Sequence, residues 1–122
     1  MASDDYFVIV YQLLDYLYNC LKKGEKPDLF GLDNFREAKG INKHYWDYIL
    51  FQMCEQGFVS GVVPAPVLNQ KWPSIKIVPD FGILPRGIEY LQDNSKMKQM
   101  KDFAIKGALQ TIPTFLSLML HV

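Results

Sequence analysis

The sequence predicts an α+β fold, a winged helix-turn-helix with a β-hairpin wing and long N- and C-terminal helices. Three observations lead to this prediction. A short helical stretch at 32–39 passes through Gly40-Ile41-Asn42 into a longer helix that stops at Gly57. Two strand-like segments separated by a proline-rich stretch follow, as expected for a hairpin. Long helical patterns flank this unit on both sides.

Length and composition indicate a globular protein with its own core. The chain has 122 residues, of which 49% are hydrophobic and 21% charged. We divide it into a winged-helix domain at 1–94 and a C-terminal helical extension at 95–122. The formal net charge is zero, which lowers the expectation of nucleic-acid binding, because such proteins usually carry a basic face.

The composition also gives an expected location. No positively charged start precedes an apolar stretch, so we expect no signal peptide. Cys20 and Cys54 both fall within apolar helical patterns, which favours buried reduced thiols over a disulfide or a reactive site. We therefore expect a cytoplasmic protein.

The first helix is expected over 4–23, with Ser3 as its N-cap and Gly24 as its end. Its polar residues form one narrow stripe on a helical period: Gln12, Asp15, Asn19 and Lys22. The rest is apolar nearly all round, whereas a surface helix needs an apolar arc of only about 100°. This helix must therefore be covered on more than one side.

The second and third helices form the helix-turn-helix. Helix 2 is predicted over 32–39, with Gly40 as its left-handed terminator. Asn42 is placed to cap helix 3, which runs from Lys43 to Gln56. Helical spacing gives helix 3 a core stripe of Trp46, Ile49, Leu50 and Met53. The opposite face carries His44, Tyr48, Phe51 and Glu55.

The segment after helix 3 is expected to be the wing. Residues 58–63 and 75–78 are predicted strands, and the proline-rich stretch 64–73 is the loop between them. Trp72 in this loop is a lid on the core or a contact residue. A break is predicted at 79–82, where Pro79 is followed by Asp80 and Gly82.

Two further helices complete the pattern. Pro85 opens a helix over 85–91. The last helix starts with Ser95 as N-cap and keeps its period to the end, with a kink or interruption at Pro113. The apolar tail from Ala108 to Val122 is shorter than the roughly 20 apolar residues that span a bilayer, so we expect a packing helix and no membrane anchor.

Three segments carry a family resemblance. They are Gly40-Ile41-Asn42, Gly57-Phe58-Val59 and the run from Ile83 to Leu91, whose Gly-Ile-Glu-Tyr-Leu is the most specific piece. These resemble the YjcQ-like family of small winged-helix proteins from Gram-positive bacteria and their phages, over about residues 5–100. The chain departs at Leu84, where such domains usually place a capping Thr. The resemblance implies a winged-helix fold and a phage or prophage setting, and no settled activity.

DNA binding is the first functional hypothesis. In helix-turn-helix proteins the N-terminal residues of the second helix reach base edges in the major groove, and wing residues touch phosphate. The corresponding candidate residues here are Lys43, His44, Tyr45, Asp47, Tyr48, Lys71 and Lys76. They are few, since specific complexes commonly use six or more phosphate contacts. The expected role is that of a transcription regulator.

A non-enzymatic protein-interaction module is the alternative. Tyr48 and Phe51 on the outward face, flanked by Asp47 and Glu55, resemble an aromatic anchor with an acidic rim. Phe51 has a second interpretation, in which it packs under one of the terminal helices. A continuous positive strip along helix 3 and the wing would favour DNA, whereas an acidic rim would favour protein.

Catalytic and cofactor motifs are not apparent in the sequence. His44 and His121 are the only histidines, and neither lies near Cys, Asp or Glu at metal-ligand spacing. No phosphate-cradling glycine loop or nucleophile motif occurs. We therefore expect no enzyme activity, no metal and no cofactor.

The terminal helices raise two further questions. The nearly all-apolar helix 1 would leave a large exposed patch unless the C-terminal helix covers it, within the chain or across a two-fold axis. We expect a homodimer through these helices. The last helix also carries four lysines, which we interpret as a solvated face or, alternatively, as a surface for phosphate or an acidic partner: Lys96, Lys98, Lys101 and Lys106.

Overall fold

The computed structural model describes residues 4–65 and 74–119. The elements in chain order are α1 (Tyr6–Lys23), α2 (Leu29–Ala38), α3 (Lys43–Glu55), β1 (Val59–Ala65), β2 (Ser74–Ile83), α4 (Pro85–Asp93), α5 (Ser95–Ile105) and α6 (Ile112–Met119). The strands β1 and β2 form a two-stranded antiparallel hairpin. The predicted α+β class is confirmed, and the arrangement is consistent with a winged helix.

Helix α1 is the central element of the core. It packs against α3, α4, α5, α6 and β2 of the same chain, as its nearly continuous apolar surface requires. The helix starts one residue after Asp5, whose carboxylate accepts a hydrogen bond from the backbone N–H of Phe7 at 3.0 Å. Asp5 is therefore the N-cap in place of Ser3, which lies outside the described residues. Gly24, with φ of 68°, ends the helix as predicted.

One residue of the predicted polar stripe of α1 does not face solvent. Gln12 is only 4% exposed. Its Nε2 donates to the backbone oxygen of Gln110 at 2.9 Å, and its Oε1 accepts from the backbone N–H of Ile112 at 3.2 Å. Because a buried amide needs partners, Gln12 connects the core helix to the start of α6.

The helix-turn-helix follows the prediction, with the ends of α2 and α3 each one residue earlier and the start of α2 three residues earlier. Helix α2 starts at Leu29, earlier than expected, because Asp28 accepts a hydrogen bond from the backbone N–H of Gly31 at 2.9 Å and caps the helix there. Gly40 adopts φ of 68° in the turn, and Asn42 caps α3 as predicted. The core stripe of α3 is confirmed, since its four residues are at most 5% exposed: Trp46, Ile49, Leu50 and Met53.

The hairpin continues where the sequence suggested a break. Strand β2 runs through Pro79 to Ile83, so the predicted interruption at 79–82 is wrong. The irregularity takes the form of a bulge instead, which adds residues to β2 between Ile77 and Gly82. A proline fits there because its missing N–H is not needed for the ladder.

Gly61 sits opposite this bulge. It has φ of 85°, and a Cβ at this position would lie 2.5 Å from the backbone of Phe81, so only glycine permits the close approach of the two strands. The adjacent Ser60 hydroxyl donates to the backbone oxygen of Asp80 at 2.7 Å. The turn-forming residues thus shape the strand without ending it. Residues 66–73, which include Lys71 and Trp72, lie outside the described residues.

Helices α4 and α5 differ from the prediction mainly at their caps. Pro85 opens α4, and Leu84 at the N-cap makes no side-chain hydrogen bond. Helix α5 is capped by Asn94, whose side-chain oxygen accepts from the backbone N–H groups of Lys96 and Met97. Ser95, the predicted N-cap, is therefore the first residue of the helix itself.

The C-terminal segment is two helices and not one. Helix α5 ends at Ile105, and Gly107 with φ of 79° reverses the chain before α6. The break therefore precedes Pro113, which sits in the second position of α6 and does not kink a continuous helix. None of the helices in the described ranges is long and apolar enough to cross a membrane.

Helix α6 folds back onto α2. The ring of Phe115 meets that of Phe35 edge to face, with centroids 5.4 Å apart. A Cβ on Gly31 would lie 2.6 Å from the Cδ2 of Leu116, so the glycine lets the two helices approach closely. The apolar tail thus covers both α2 and α1 in its own chain.

Candidate nucleic-acid interface

Helix α3 presents an exposed face at its N-terminal turns. The side-chain oxygen of Asn42 accepts from the backbone N–H groups of His44 at 2.8 Å and Tyr45 at 3.3 Å, which fixes where the helix begins. With the core stripe turned inward, His44 is exposed and Tyr48 is 54% exposed. Both side chains carry hydrogen-bonding groups that a partner can reach.

Lys43 and Asp47 form an ion pair on this helix. The Lys43 Nζ donates to the Asp47 Oδ1 at 2.5 Å, with the lysine side chain 54% exposed and the aspartate side chain 6% exposed. Asp47, predicted to be a contact residue, is therefore buried and does not share the outward face. One turn of helix separates the two residues, so the pairing is local. Its effect is to compensate the positive charge of Lys43.

Acidic residues lie close to the same face. Burial raises the pKa of the Tyr45 hydroxyl, and the carboxylates of Asp5 and Asp4 raise it further, with a smaller contribution from Tyr6. The N-terminus of α1 therefore brings negative charge to the start of α3. No local sequence pattern predicts this electrostatic effect, because it depends on how α1 packs on α3.

A shallow depression marks the outward side of α3. It has a volume of about 430 Å³, and among the described residues it is lined by Asn42, His44, Tyr45 and Tyr48. Its walls are mainly aromatic rings. Phe51, further along the helix, is half-buried, and Glu55 is exposed.

The hairpin places its lysine on another side. Ile75 and Ile77 line a cleft of about 120 Å³ between β2 and α3. Side chains alternate between the faces of a strand, so Lys76 between them points to the opposite face, where it is exposed. The structure therefore does not bring Lys43 and Lys76 into one positive strip. Lys71 lies outside the described residues.

The groups that could bind a metal are dispersed. Within 4–65 and 74–119, no three His, Cys, Asp or Glu side chains come together in a way that could hold a metal ion. Cys20 is buried and Cys54 half-buried, and both are free thiols. Burial raises the pKa of the Cys20 thiol, which keeps it in its unreactive protonated form.

Comparison with known proteins gives one result. The model of the family described as YjcQ protein matches residues 11–107. Neither the curated proteins nor the solved structures include a match to the chain. The matched segment extends from within α1 across the helix-turn-helix and hairpin to just beyond α5. Because the match covers more than half of the sequence, the chain belongs to the YjcQ protein family.

Proposed function

We propose that the chain is a winged-helix DNA-binding protein that regulates transcription in a phage or prophage. The supporting observation is the exposed N-terminal part of α3, where Lys43, His44 and Tyr48 stand clear of the core. These are the positions from which a recognition helix reaches base edges. The phage setting rests on the family resemblance.

Each candidate residue has a distinct proposed role. His44 and Tyr48 read base edges, because their polar groups project from the first turns of α3. Lys43 contacts phosphate once its ion pair with Asp47 is broken. The half-buried Tyr45 packs at the start of the helix and supports it. Lys76 contacts phosphate separately, from the exposed face of the hairpin that points away from the cleft beside α3, and Lys71 is the further candidate cation.

The small number of cations predicts weak salt dependence. The slope of log K against log salt is about −0.9 for each phosphate contact on duplex DNA. Three contacts, from Lys43, Lys71 and Lys76, give a slope of about −2.7. A shallow slope with measurable affinity is therefore the expected signature of this surface.

The test is titration of a fluorescent duplex of mixed sequence at several salt concentrations, followed by fluorescence anisotropy. Lys43→Ala and Lys76→Ala should each weaken binding and flatten the slope by about one unit. Lys106→Ala, an exposed lysine at the end of α5, is the matched control and should change neither. No binding at low salt, or an equal effect of the control, contradicts the proposal.

Docking of a positively charged protein segment is the second candidate. The charges around α3 favour it, because Asp47 compensates Lys43 and the acids of the α1 N-terminus lie near Tyr45. The exposed ring of Tyr48 would then contact cationic side chains of the partner.

One pair of substitutions separates the two candidates. Asp4→Asn with Asp5→Asn removes two negative charges and keeps a capping residue at the helix start. This variant should bind DNA more tightly than the parent protein under the first candidate. Under the second candidate it should bind a cationic partner less tightly, and its DNA binding should stay undetectable.

A homodimer is part of the first proposal, because two copies would read two half-sites. Helix α1 is covered within its own chain. The contact between the two copies would therefore use α6, where Leu118 and Met119 are exposed, and the neighbouring α2, where Phe30 is 80% exposed. Light scattering at tens of micromolar should give twice the chain mass, and Phe30→Ser should shift it toward the monomer. A monomer in the parent protein contradicts this part.

A further inference from the structure

A second cleft lies between α1, α4 and α5. Its volume is about 870 Å³, within the range of roughly 300–1,000 Å³ typical of small-molecule sites. None of its described lining residues belongs to α3 or the hairpin. The cleft is therefore separate from the proposed DNA surface, and a ligand could bind in it whether or not the protein binds DNA.

The inner wall of the cleft carries a hydroxyl without a protein partner. Tyr11 is 4% exposed, yet it lines the cleft. Among the described residues, no side chain or backbone group hydrogen-bonds to its hydroxyl, although none of the buried polar atoms is sealed off without a partner. Because Tyr11 lines the cleft, its hydroxyl is close to any molecule that enters.

Asp15 lies beside Tyr11 in the same wall. Its negative charge contributes, after burial, to raising the pKa of Tyr11 to about 12. Burial also raises the pKa of the Asp15 carboxyl, and the charges of Lys22 and Lys101 oppose that effect. A lysine of α1 and a lysine of α5 thus both lie near enough to affect the Asp15 carboxylate in the cleft.

The rim is positively charged and partly apolar. Lys22, Lys98 and Lys101 line the cleft against the acids Asp15 and Asp102, which leaves one net positive charge. The Lys22 Nζ lies 4.4 Å from the centre of the Tyr18 ring. Ile105 adds an apolar surface that is 73% exposed.

We propose that this cleft binds a small amphipathic organic anion. The phosphate or carboxylate of the ligand lies among Lys22, Lys98 and Lys101, and its apolar body covers Ile105. The Tyr11 hydroxyl donates to a polar atom of the ligand. Three lysines that converge on one cleft select for negative charge, and the apolar wall selects for a ligand larger than an inorganic ion.

Two probes represent the two anion types, adenosine 5′-monophosphate for phosphate and 1-naphthoate for carboxylate. Each is titrated into the full ¹⁵N-labelled chain and followed by amide chemical shifts. The uncharged counterparts, adenosine and 1-naphthamide, test whether the anion is required. We expect saturable shifts in α1 and α5 for at least one anion and at least tenfold weaker binding of its uncharged counterpart.

Variants locate the site. Lys22→Gln and Lys101→Gln should each lower the affinity for the anion by roughly threefold to fivefold, the effect expected from losing a solvent-accessible ion pair. Tyr11→Phe should weaken it as well, whereas the control Lys106→Gln should have no effect. The proposal is overturned if neither anion gives saturable shifts at millimolar concentration. It is also overturned if Lys106→Gln weakens binding as much as Lys101→Gln, or if only duplex DNA shifts these amides.

Discussion

Replacing Gln12 with alanine should separate the start of α6 from the core helix. The Gln12 side chain is 4% exposed and makes two hydrogen bonds, to the backbone oxygen of Gln110 and from the backbone N–H of Ile112. Ile112 is itself fully buried, with 0% exposure. The substitution therefore removes two bonds and leaves a buried N–H without a partner.

The expected loss comes from those contacts. A net hydrogen bond contributes about 0.5–1.5 kcal/mol, and a buried donor left unpaired costs about 1–3 kcal/mol. We expect Gln12→Ala to lower the free energy of unfolding by about 2–4 kcal/mol. For a chain of this size the corresponding fall in Tm is roughly 8–16 °C.

Urea unfolding followed by circular dichroism measures the loss, and amide hydrogen exchange at Ile112 locates it. Gln99→Ala is the matched control, because Gln99 lies on α5 and is exposed. The control should change the free energy of unfolding by less than about 0.5 kcal/mol. If Gln12→Ala behaves like the control and Ile112 keeps its protection, the two hydrogen bonds do not hold α6 in place and the reasoning is refuted.

Three further predictions concern the same framework. Gly87→Ala would put a Cβ 2.2 Å from the backbone oxygen of Phe58, so we expect a loss of about 3 kcal/mol or more in denaturant unfolding, and parental stability would contradict the contact. Asn42→Ala removes the cap that accepts from the His44 N–H and should cost about 1 kcal/mol, with faster amide exchange in the first turn of α3 and no change elsewhere. Burial raises the pKa of Tyr11 to about 12; the folded state holds this proton longer than the unfolded state, so stability falls as pH rises from about 10 to 12. At pH 11 the parent protein should have lost more of its free energy of unfolding than Tyr11→Phe, by up to about 1 kcal/mol because solvent in the cleft screens part of the effect, and parallel pH profiles of the two proteins would rule this out.

The sequence was sufficient where a local rule decides the structure. The stripe from Trp46 to Met53 follows the helical period, so the orientation of α3 could be predicted from spacing alone. Gly24 and Gly40 end their helices with positive φ, a conformation that few other residues adopt. Asn42 caps α3 because its side chain reaches the next N–H groups.

Local rules failed where several residues compete for the same role. Asn94 and Ser95 are both residue types that cap helices well, and the structure uses Asn94 instead of the predicted Ser95. Pro79 and Asp80 are typical of a turn, yet pairing with β1 on both sides keeps the segment in the strand as a bulge. The choice depends on tertiary context, which a short window of sequence does not contain.

The candidate site was predicted least well, because its properties depend on contacts between distant segments. Asp47 looked like a surface residue, but its side chain is only 6% exposed and pairs with Lys43, beside a cleft that it lines together with residues of α2 and β2. Gln12 belonged to the polar stripe of α1, but the start of α6 covers it. The negative charge of Asp5 near Tyr45 likewise results from the packing of α1 on α3.

The packing of α6 on α2 affects the order in which parts of the fold can form during synthesis. Phe35 and Gly31 receive their covering residues, Phe115 and Leu116, from a segment that is synthesised only after the helix-turn-helix and the hairpin. The first helix of the helix-turn-helix therefore stays incompletely packed on the nascent chain. Because such long-range contacts are slow to form, we expect the final docking of this helix to be a late event in the maturation of the protein.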